Sequence, residues 1–198
     1  MKKTKGVEQL DKCNRCARLK ATIRLSSDIE RTEEVICSDC YNEELADHLD
    51  VSLIDNPTLI IFKDENGKSR HFNVEKMLFS TGISLEANEN NAYGYKFAVH
   101  GELDCDQNVL FDQLFEKIQQ GLSTTYVKQD IFPNGQRYHS MKSDVLIGRI
   151  EHSEETWNEP VVVIDGKPYS WEELGKIMMS NEGFQLRMEI FDITDDAE

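Results

Sequence analysis

Four of the five cysteines of this chain fall into two pairs with the same internal spacing. Cys13 and Cys16 form the first pair, Cys37 and Cys40 form the second, and 20 residues separate the pairs, which gives the pattern C-x2-C-x20-C-x2-C. A gap of two residues lets both thiolates of a pair point at one ion, and two such knuckles joined by a hairpin supply four tetrahedral sulfur ligands. The spacing therefore predicts a structural Zn²⁺ site of the zinc-ribbon type, with these four cysteines as its ligands.

Three other uses of these cysteines are open from the sequence. Two disulfides need an oxidising compartment, and the first ten residues, MKKTKGVEQL, lack the apolar stretch of a secretory signal. A thioredoxin-like redox site needs a single CxxC motif in a βαβ setting rather than two matched motifs. An iron–sulfur cluster also takes four cysteines, so the spacing alone leaves iron as an alternative to zinc. Because four protein ligands leave no open position, we expect the metal to fold this segment rather than to catalyse a reaction.

Charge is distributed unevenly along the chain. The 22 Lys and Arg residues stand against 37 Asp and Glu residues, a formal net charge of −15. Residues 1–40 carry nine basic and seven acidic side chains, a net +2, so the remaining 158 residues carry −17. Such an acidic body repels a phosphate backbone and suits a basic protein partner. The residues predicted to contact nucleic acid or a protein partner lie in the basic ribbon: Lys12, Arg15, Arg18, Lys20 and Arg24.

The order of the periodic segments predicts an α+β fold, with a small N-terminal zinc ribbon joined to an α+β domain that has an antiparallel sheet. We expect the ribbon and a short helix in residues 1–50 and the α+β domain in residues 51–198, with a possible sub-boundary near residue 123. Predicted strands outside the ribbon lie at 58–62, 70–74, 83–87, 93–100, 124–127, 145–150, 161–164, 167–169 and 184–190. The predicted helices begin at Asp106 and at Ser170, each at an N-cap residue.

Two stretches of the chain resemble a known family. They are Cys37-Ser-Asp-Cys-Tyr-Asn-Glu at the end of the ribbon and residues 164–186, which contain the sequence Ser-Trp-Glu-Glu-Leu-Gly. Together with residues 94–97 and 148–150 they are similar to a family of uncharacterised bacterial proteins, mostly from Gram-positive species. Members have an N-terminal four-cysteine zinc ribbon and a C-terminal helix–strand unit. The resemblance implies a fold unit and no particular chemistry.

Three classes of function remain after the motif search. No dinucleotide-binding, P-loop, zinc-protease or nucleophile-elbow motif occurs, and the five histidines are scattered. The sequence favours a non-enzymatic interaction or regulatory protein whose acidic body docks a protein partner. The alternatives are nucleic-acid binding through the ribbon, which contains no aromatic residue up to position 40 to stack on bases, and an enzyme whose site is not visible in the sequence. No apolar run is long enough to span a membrane, so we expect a cytoplasmic protein.

Overall fold

The computed structural model describes residues 12–18, 20–27, 32–153, 156 and 158–196. Within these residues the structure has three α-helices, namely α1 (Ser38–Leu49), α2 (Gln107–Leu122) and α3 (Trp171–Ile177), with a 3₁₀ turn at Met178–Asn181. The strands are β1 (Ile23–Ser27), β2 (Thr32–Ile36), β3 (Leu59–Lys63), β4 (Ser69–Phe79), β5 (Gly82–Glu89), β6 (Lys96–Gly101), β7 (Val127–Ile131), β8 (Arg137–Met141), β9 (Arg149–Glu151), β10 (Val161–Ile164) and β11 (Lys167–Tyr169). Helices and antiparallel sheets together confirm the predicted α+β class.

The strands form four sheets, and the chain groups into two compact units. The sheet orders are β1-β2, β3-β4-β5-β6, β7-β8 and β11-β10-β9. The first unit takes its described residues from Met1–Asp55, Lys76–Ser84 and Gly101–Gln107, and the second from Asn56–Glu75, Leu85–His100 and Asn108–Glu198. The division of the chain at residue 50 stays a prediction.

In the first unit, the antiparallel hairpin of β1 and β2 confirms the hairpin predicted between the two cysteine pairs. Ile23 lies opposite Ile36 in the strand register, and both side chains turn toward the cysteines. Helix α1 follows β2 after a single residue. Its buried Asn42 donates a hydrogen bond to the Lys76 carbonyl oxygen (2.8 Å) and accepts one from the Leu78 N–H (2.9 Å), so a polar side chain ties α1 to β4.

In the second unit, the strands predicted at 58–62 and 70–74 are confirmed and pair as the hairpin of β3 and β4, with Gly67 in its turn at a φ of +77° that favours glycine. Helix α2 confirms the amphipathic helix predicted after Asp106. Its apolar positions recur every fourth residue, and the side chains on that face are buried. On the same helix, the ring of Phe115 lies 4.4 Å from that of Phe62 on β3. The buried positions of α2 are Leu110, Leu114, Ile118 and Leu122.

The C-terminal part of this unit is organised by β10, β11 and α3. The predicted capping box is present: the Ser170 hydroxyl accepts from the Glu173 N–H, and the Glu173 carboxylate accepts from the Ser170 N–H. Two buried side chains of α3, Leu174 and Ile177, share a core with Val162, Ile164 and Tyr169. The capping box and these packing contacts give a structural reason for the Ser-Trp-Glu-Glu-Leu-Gly sequence that carries part of the family resemblance.

Two predicted features of the C-terminal third are wrong. The stretch between the strands predicted at 124–127 and 145–150 was assigned no strand, but it forms the antiparallel hairpin of β7 and β8. Of the second predicted strand, only residues 149 and 150 lie in a sheet. The strand predicted at residues 184–190 does not form, because no neighbouring strand pairs with it in the described chain. Among the described residues, no helix combines the length and the apolar composition that crossing a membrane requires.

Candidate metal centre

The four predicted ligands come together at one point of the ribbon. The sulfur atoms of Cys13, Cys16, Cys37 and Cys40 all lie within 4.8 Å of one another, and those of Cys16 and Cys37 are 3.8 Å apart. That separation is far beyond the roughly 2.05 Å of a disulfide bond. It matches the edge of a tetrahedron of sulfurs around an ion with metal–sulfur distances of about 2.3 Å, roughly 3.8 Å. The cluster can therefore hold a metal ion.

The first knuckle is shaped by backbone hydrogen bonds. The Ala17 N–H donates to the Cys13 carbonyl oxygen (2.9 Å), and Ala17 has a φ of +54° that turns the chain back after the second sulfur. Asn14 then fixes the knuckle to β2: its N–H donates to the Val35 carbonyl (2.9 Å) and its side-chain oxygen accepts from the Val35 N–H (2.7 Å). This pairing places the first two thiols beside the second pair.

The second knuckle is the start of helix α1. Cys37 is the N-cap residue, and its sulfur accepts from the Cys40 N–H at 3.5 Å. The first turn of a helix presents unpaired N–H groups and a partial positive charge, which stabilise a thiolate. Cys37 therefore both caps the helix and contributes a sulfur to the cluster.

Burial, backbone N–H groups and the neighbouring thiols together set the pKa values of the cluster. Burial raises the pKa of the Cys13 thiol, but three backbone N–H groups, those of Cys16, Cys37 and Arg15, together with the Cys16 thiol outweigh burial and lower that pKa to about 6. Burial, followed by the neighbouring thiols, raises the pKa of Cys40 to about 12, and burial also raises the pKa of Cys37. A cluster of this kind needs a cation to hold all four sulfurs as thiolates.

The surroundings of the sulfurs fit a closed structural site. Cys13 and Cys37 are almost fully buried, at 1% and 2% exposure, and they pack with Ile36. Four soft sulfur donors without a carboxylate or an open position suit Zn²⁺, and they also suit iron. A zinc ion bound here would offset two of the four thiolate charges and link the knuckles, which is a structural task. The apolar side chains that complete this small core are Ile23, Leu25 and Tyr41.

The predicted basic contact residues are not equivalent in the structure. Arg15 donates to both carboxylate oxygens of Glu34 (3.0 Å each) and to Glu44 (2.7 Å), so its charge is used within the ribbon. These hydrogen bonds raise the pKa of Arg15 and lower that of Glu34. Arg24 pairs with Glu33 at 3.3 Å. The Arg15 network was not predicted, since its carboxylates lie 19 and 29 residues away and only the folded hairpin brings them close.

The other three predicted basic residues remain on the surface. Lys12, Arg18 and Lys20 are exposed, and a backbone bridge joins Lys12 and Lys20 at the base of the ribbon. They form a smaller basic patch than the five residues predicted from the sequence. A contact of this patch with nucleic acid or protein stays a prediction.

Three family models match successive parts of the chain. Residues 12–52 match a domain of unknown function (DUF7685), residues 55–123 match a second one (DUF7686), and residues 126–195 match a third (DUF7713). The three matches tile nearly all of the chain, and their descriptions give no activity. Searches of curated proteins and of solved structures found no match. The predicted bacterial origin of the family stays a prediction.

Proposed function

We propose that this protein is a non-enzymatic interaction protein, in which Zn²⁺ folds the four-cysteine ribbon and the acidic body docks a protein partner. We assign the docking contact to the C-terminal apolar segment, defined as residues 184–191. The observation that supports this proposal is the exposure of large apolar side chains along a stretch of chain that pairs with no strand in the described residues.

Five large apolar side chains of this segment face solvent. Four of them occupy every second position from Phe184 to Ile190, with polar residues between, and these two end residues are each 77% exposed. When such a segment pairs as a strand, alternation places these four side chains on one side. Contiguous exposed apolar surface of this kind marks interaction sites in soluble proteins. The other exposed members are Leu186, Met188 and Phe191.

The segment is held at both ends while its backbone stays unpaired. At its start, the Phe184 N–H donates to the Asn181 carbonyl (3.0 Å). Beyond its end, the Lys117 ammonium on α2 donates to the carbonyls of Ile193, Thr194 and Asp195 at 3.1, 2.9 and 2.7 Å. Between these anchors, in the described chain, residues 185–190 make no backbone hydrogen bond. A segment anchored at both ends has lost part of the conformational entropy that strand pairing would otherwise cost.

These features favour β-strand addition to a partner that has an exposed sheet edge flanked by basic residues. In strand addition, main-chain hydrogen bonds supply affinity and alternate side chains fill pockets. The charges around the segment are mostly acidic, with Glu182, Asp192, Asp195 and Asp196. The cations there are Arg187, which pairs with Glu189, and Lys117, which pairs with Asp196. The net charge of −15 opposes a second copy of this chain as the occupant.

The same charges argue against nucleic acid as the partner. Two of the five ribbon cations are already paired with carboxylates, and the rest of the chain would repel phosphates. Ion pairs within the ribbon leave the exposed basic surface small. We therefore assign docking to the acidic body and not to the ribbon.

Site-specific photocrosslinking in the source cells tests the proposal. A photoreactive phenylalanine analogue replaces Phe184, and a matched control carries it at Phe132, an exposed aromatic outside the segment. We expect a protein adduct from position 184 that is absent from position 132. Burial of one leucine side chain contributes about 1.5–3 kcal/mol, so Leu186→Glu should weaken the purified complex by roughly tenfold or more.

A variant of the ribbon tests whether the partner contacts the ribbon or the C-terminal apolar segment. The double variant Arg18→Glu and Lys20→Glu reverses exposed ribbon charges and should change the dissociation constant of the complex by less than about threefold. The proposal is wrong if position 184 crosslinks only to a second copy of the chain. It is also wrong if the ribbon variant abolishes binding while Leu186→Glu leaves it intact. Binding of labelled DNA or RNA that weakens steeply with salt would instead support the nucleic-acid alternative.

A further inference from the structure

A polar cavity of about 230 Å³ lies within the second unit. Its walls come from the β3–β4 hairpin, Tyr95, the β7–β8 hairpin and the β10–β11 hairpin. The volume is far above the roughly 10–15 Å³ that one water molecule needs, so the cavity has room for a small ligand. Whether that ligand is a cation or an anion depends on which polar groups of the wall already have partners.

The first carboxylate of the wall, Asp64, is fully engaged. One of its oxygens accepts from the N–H groups of Asn66 (3.0 Å) and Lys68 (2.9 Å), and the other accepts from the Arg70 guanidinium (2.9 Å). Arg70 also donates to Glu89 at 2.9 Å. Asp64 is therefore a structural acceptor within its own hairpin and offers little to an incoming cation.

The second carboxylate, Asp165, is engaged by the backbone of another strand. Its two oxygens accept from the Tyr126 N–H (3.0 Å each), and one of them also accepts from the Val127 N–H (2.9 Å). The next residue, Gly166, has a φ of +69°, and a Cβ there would lie 3.0 Å from the Tyr95 ring. This turn fits closely against Tyr95, so the wall is formed before any ligand binds.

Two wall groups that lack partners in the described chain are donors. Tyr169 is only 5% exposed, yet its hydroxyl makes no hydrogen bond within the described residues. The Lys167 ammonium likewise has no hydrogen-bond or ion-pair partner in the described part of the chain. Burial, with Asp165 and Glu173, raises the pKa of Tyr169, so its hydroxyl stays protonated and able to donate.

The three cations of the wall differ in whether a carboxylate already pairs with them. Arg70 pairs with Asp64 and Glu89, and Lys142 pairs with Glu65. Lys167 is left as the wall cation without such a pair in the described part of the chain. We propose that this cavity binds a small oxyanion, a carboxylate or a phosphate group, held by the Lys167 ammonium and the Tyr169 hydroxyl.

Calorimetric titration of the zinc-loaded full-length protein tests this site. The probes are potassium phosphate and potassium succinate, at an ionic strength held constant with potassium chloride. We expect saturable binding of at least one probe with a dissociation constant of about 1 mM or tighter. The probe that binds more tightly identifies the headgroup.

Two variants and a control assign the binding to this cavity. Tyr169→Phe removes only the unpartnered hydroxyl and should weaken binding about tenfold, as expected for a hydrogen bond to a charged group. Lys167→Gln should weaken it at least as much. Lys128→Gln removes a neighbouring exposed lysine that pairs with Asp130 outside the cavity and should leave the dissociation constant unchanged.

Two results would overturn the proposal. One is the absence of saturable binding for both probes. The other is equal binding by the wild type, Tyr169→Phe and Lys167→Gln, because the anion would then bind at a site that uses neither the Tyr169 hydroxyl nor the Lys167 ammonium. Circular dichroism of each variant shows whether it is folded, and Lys167→Gln, at an exposed position, keeps the test valid should Tyr169→Phe lose structure.

Discussion

Arg70 is the residue whose replacement tests the electrostatics of the second unit most directly. Its guanidinium lies between two carboxylates, with Asp64 at 2.8 Å and Glu89 at 2.9 Å. The three side chains are 13%, 5% and 10% exposed, respectively. Arg70→Met keeps most of the aliphatic side chain and removes the charge, so both carboxylates would remain buried without their cation.

Removing one member of a buried ion pair typically costs about 3–5 kcal/mol. The backbone N–H groups of Asn66 and Lys68 still stabilise Asp64 in the variant, so we expect the lower end, about 3 kcal/mol. The loss depends on the charge of Asp64. Burial raises the pKa of Asp64, but the Lys68 N–H, the Arg70 guanidinium and the Asn66 N–H outweigh burial and lower it.

The sign of the pH dependence follows from this lowered pKa. The ion pair contributes its full stability above the unfolded pKa of an aspartate, about 3.9, and loses it as the pH falls through the lower folded pKa. Acid in that range also protonates cysteine ligands and releases the metal. The charge of Asp64 is therefore better removed by Asp64→Asn than by acid.

Urea unfolding of the zinc-loaded protein, followed by circular dichroism, measures the effect. With a denaturant slope of about 2 kcal/mol/M, Arg70→Met should lower the unfolding midpoint by roughly 1.5 M. In the Asp64→Asn background, the free energy of unfolding lost through Arg70→Met should be smaller by at least about 1.5 kcal/mol. A double-mutant cycle measures this difference. Lys128→Met, which removes an exposed ion pair with Asp130, should cost less than about 1 kcal/mol. A loss below about 1 kcal/mol for Arg70→Met, or an equal loss in both backgrounds, would refute this account.

Three further predictions concern the ribbon and the helices. Cys13→Ser should abolish stoichiometric metal and unfold the ribbon, since binding and folding are coupled; elemental analysis with circular dichroism checks this, and full metal content would contradict it. Gly121→Ala should lower the free energy of unfolding by about 1–3 kcal/mol, because the new Cβ would lie 2.4 Å from the Phe97 ring. This loss outweighs a helix propensity gain of about 1 kcal/mol, and a variant that is more stable in urea would refute the packing argument. Ser170→Ala should cost about 1 kcal/mol through loss of the capping box with Glu173, and thermal unfolding with an unchanged midpoint would contradict it.

Local patterns explain why part of the fold was predictable from the sequence. The clustering of the four cysteines was predictable because a two-residue gap lets both sulfurs of a pair point at one ion. Helix α2 and the capping box at Ser170 were found because apolar spacing and N-cap chemistry act within a few residues. Each of these patterns depends on residue spacing along the chain and not on contacts between distant elements.

The features that were missed depend on partners far away in the sequence. The β7–β8 hairpin has a polar sequence that resembles a loop. Its turn signal is Asn134-Gly135, with Gly135 at a φ of +87°. Across the turn, the rings of Phe132 and Tyr138 stack with their centroids 4.1 Å apart. The alternation at residues 184–190 predicted a strand, but alternation does not specify which edge the strand pairs with. The cavity combines Asp64 with residues about 100 positions later, and no sequence spacing reveals that proximity.

Metal binding and partner docking are assigned to parts of the chain that share no core residue. The ribbon core consists of Cys13, Ile36 and Cys37 with their neighbours up to Tyr41, whereas the C-terminal apolar segment is anchored through Lys117. Chelation of the metal should therefore unfold the ribbon and leave the affinity of the docking partner within about threefold, corresponding to about 0.6 kcal/mol. If the ribbon were the docking surface, chelation would abolish the complex, because a four-sulfur site of this kind folds only with its metal. One chelator titration that follows both ribbon folding and partner affinity therefore decides whether the metal only stabilises the ribbon or also maintains the partner-binding surface.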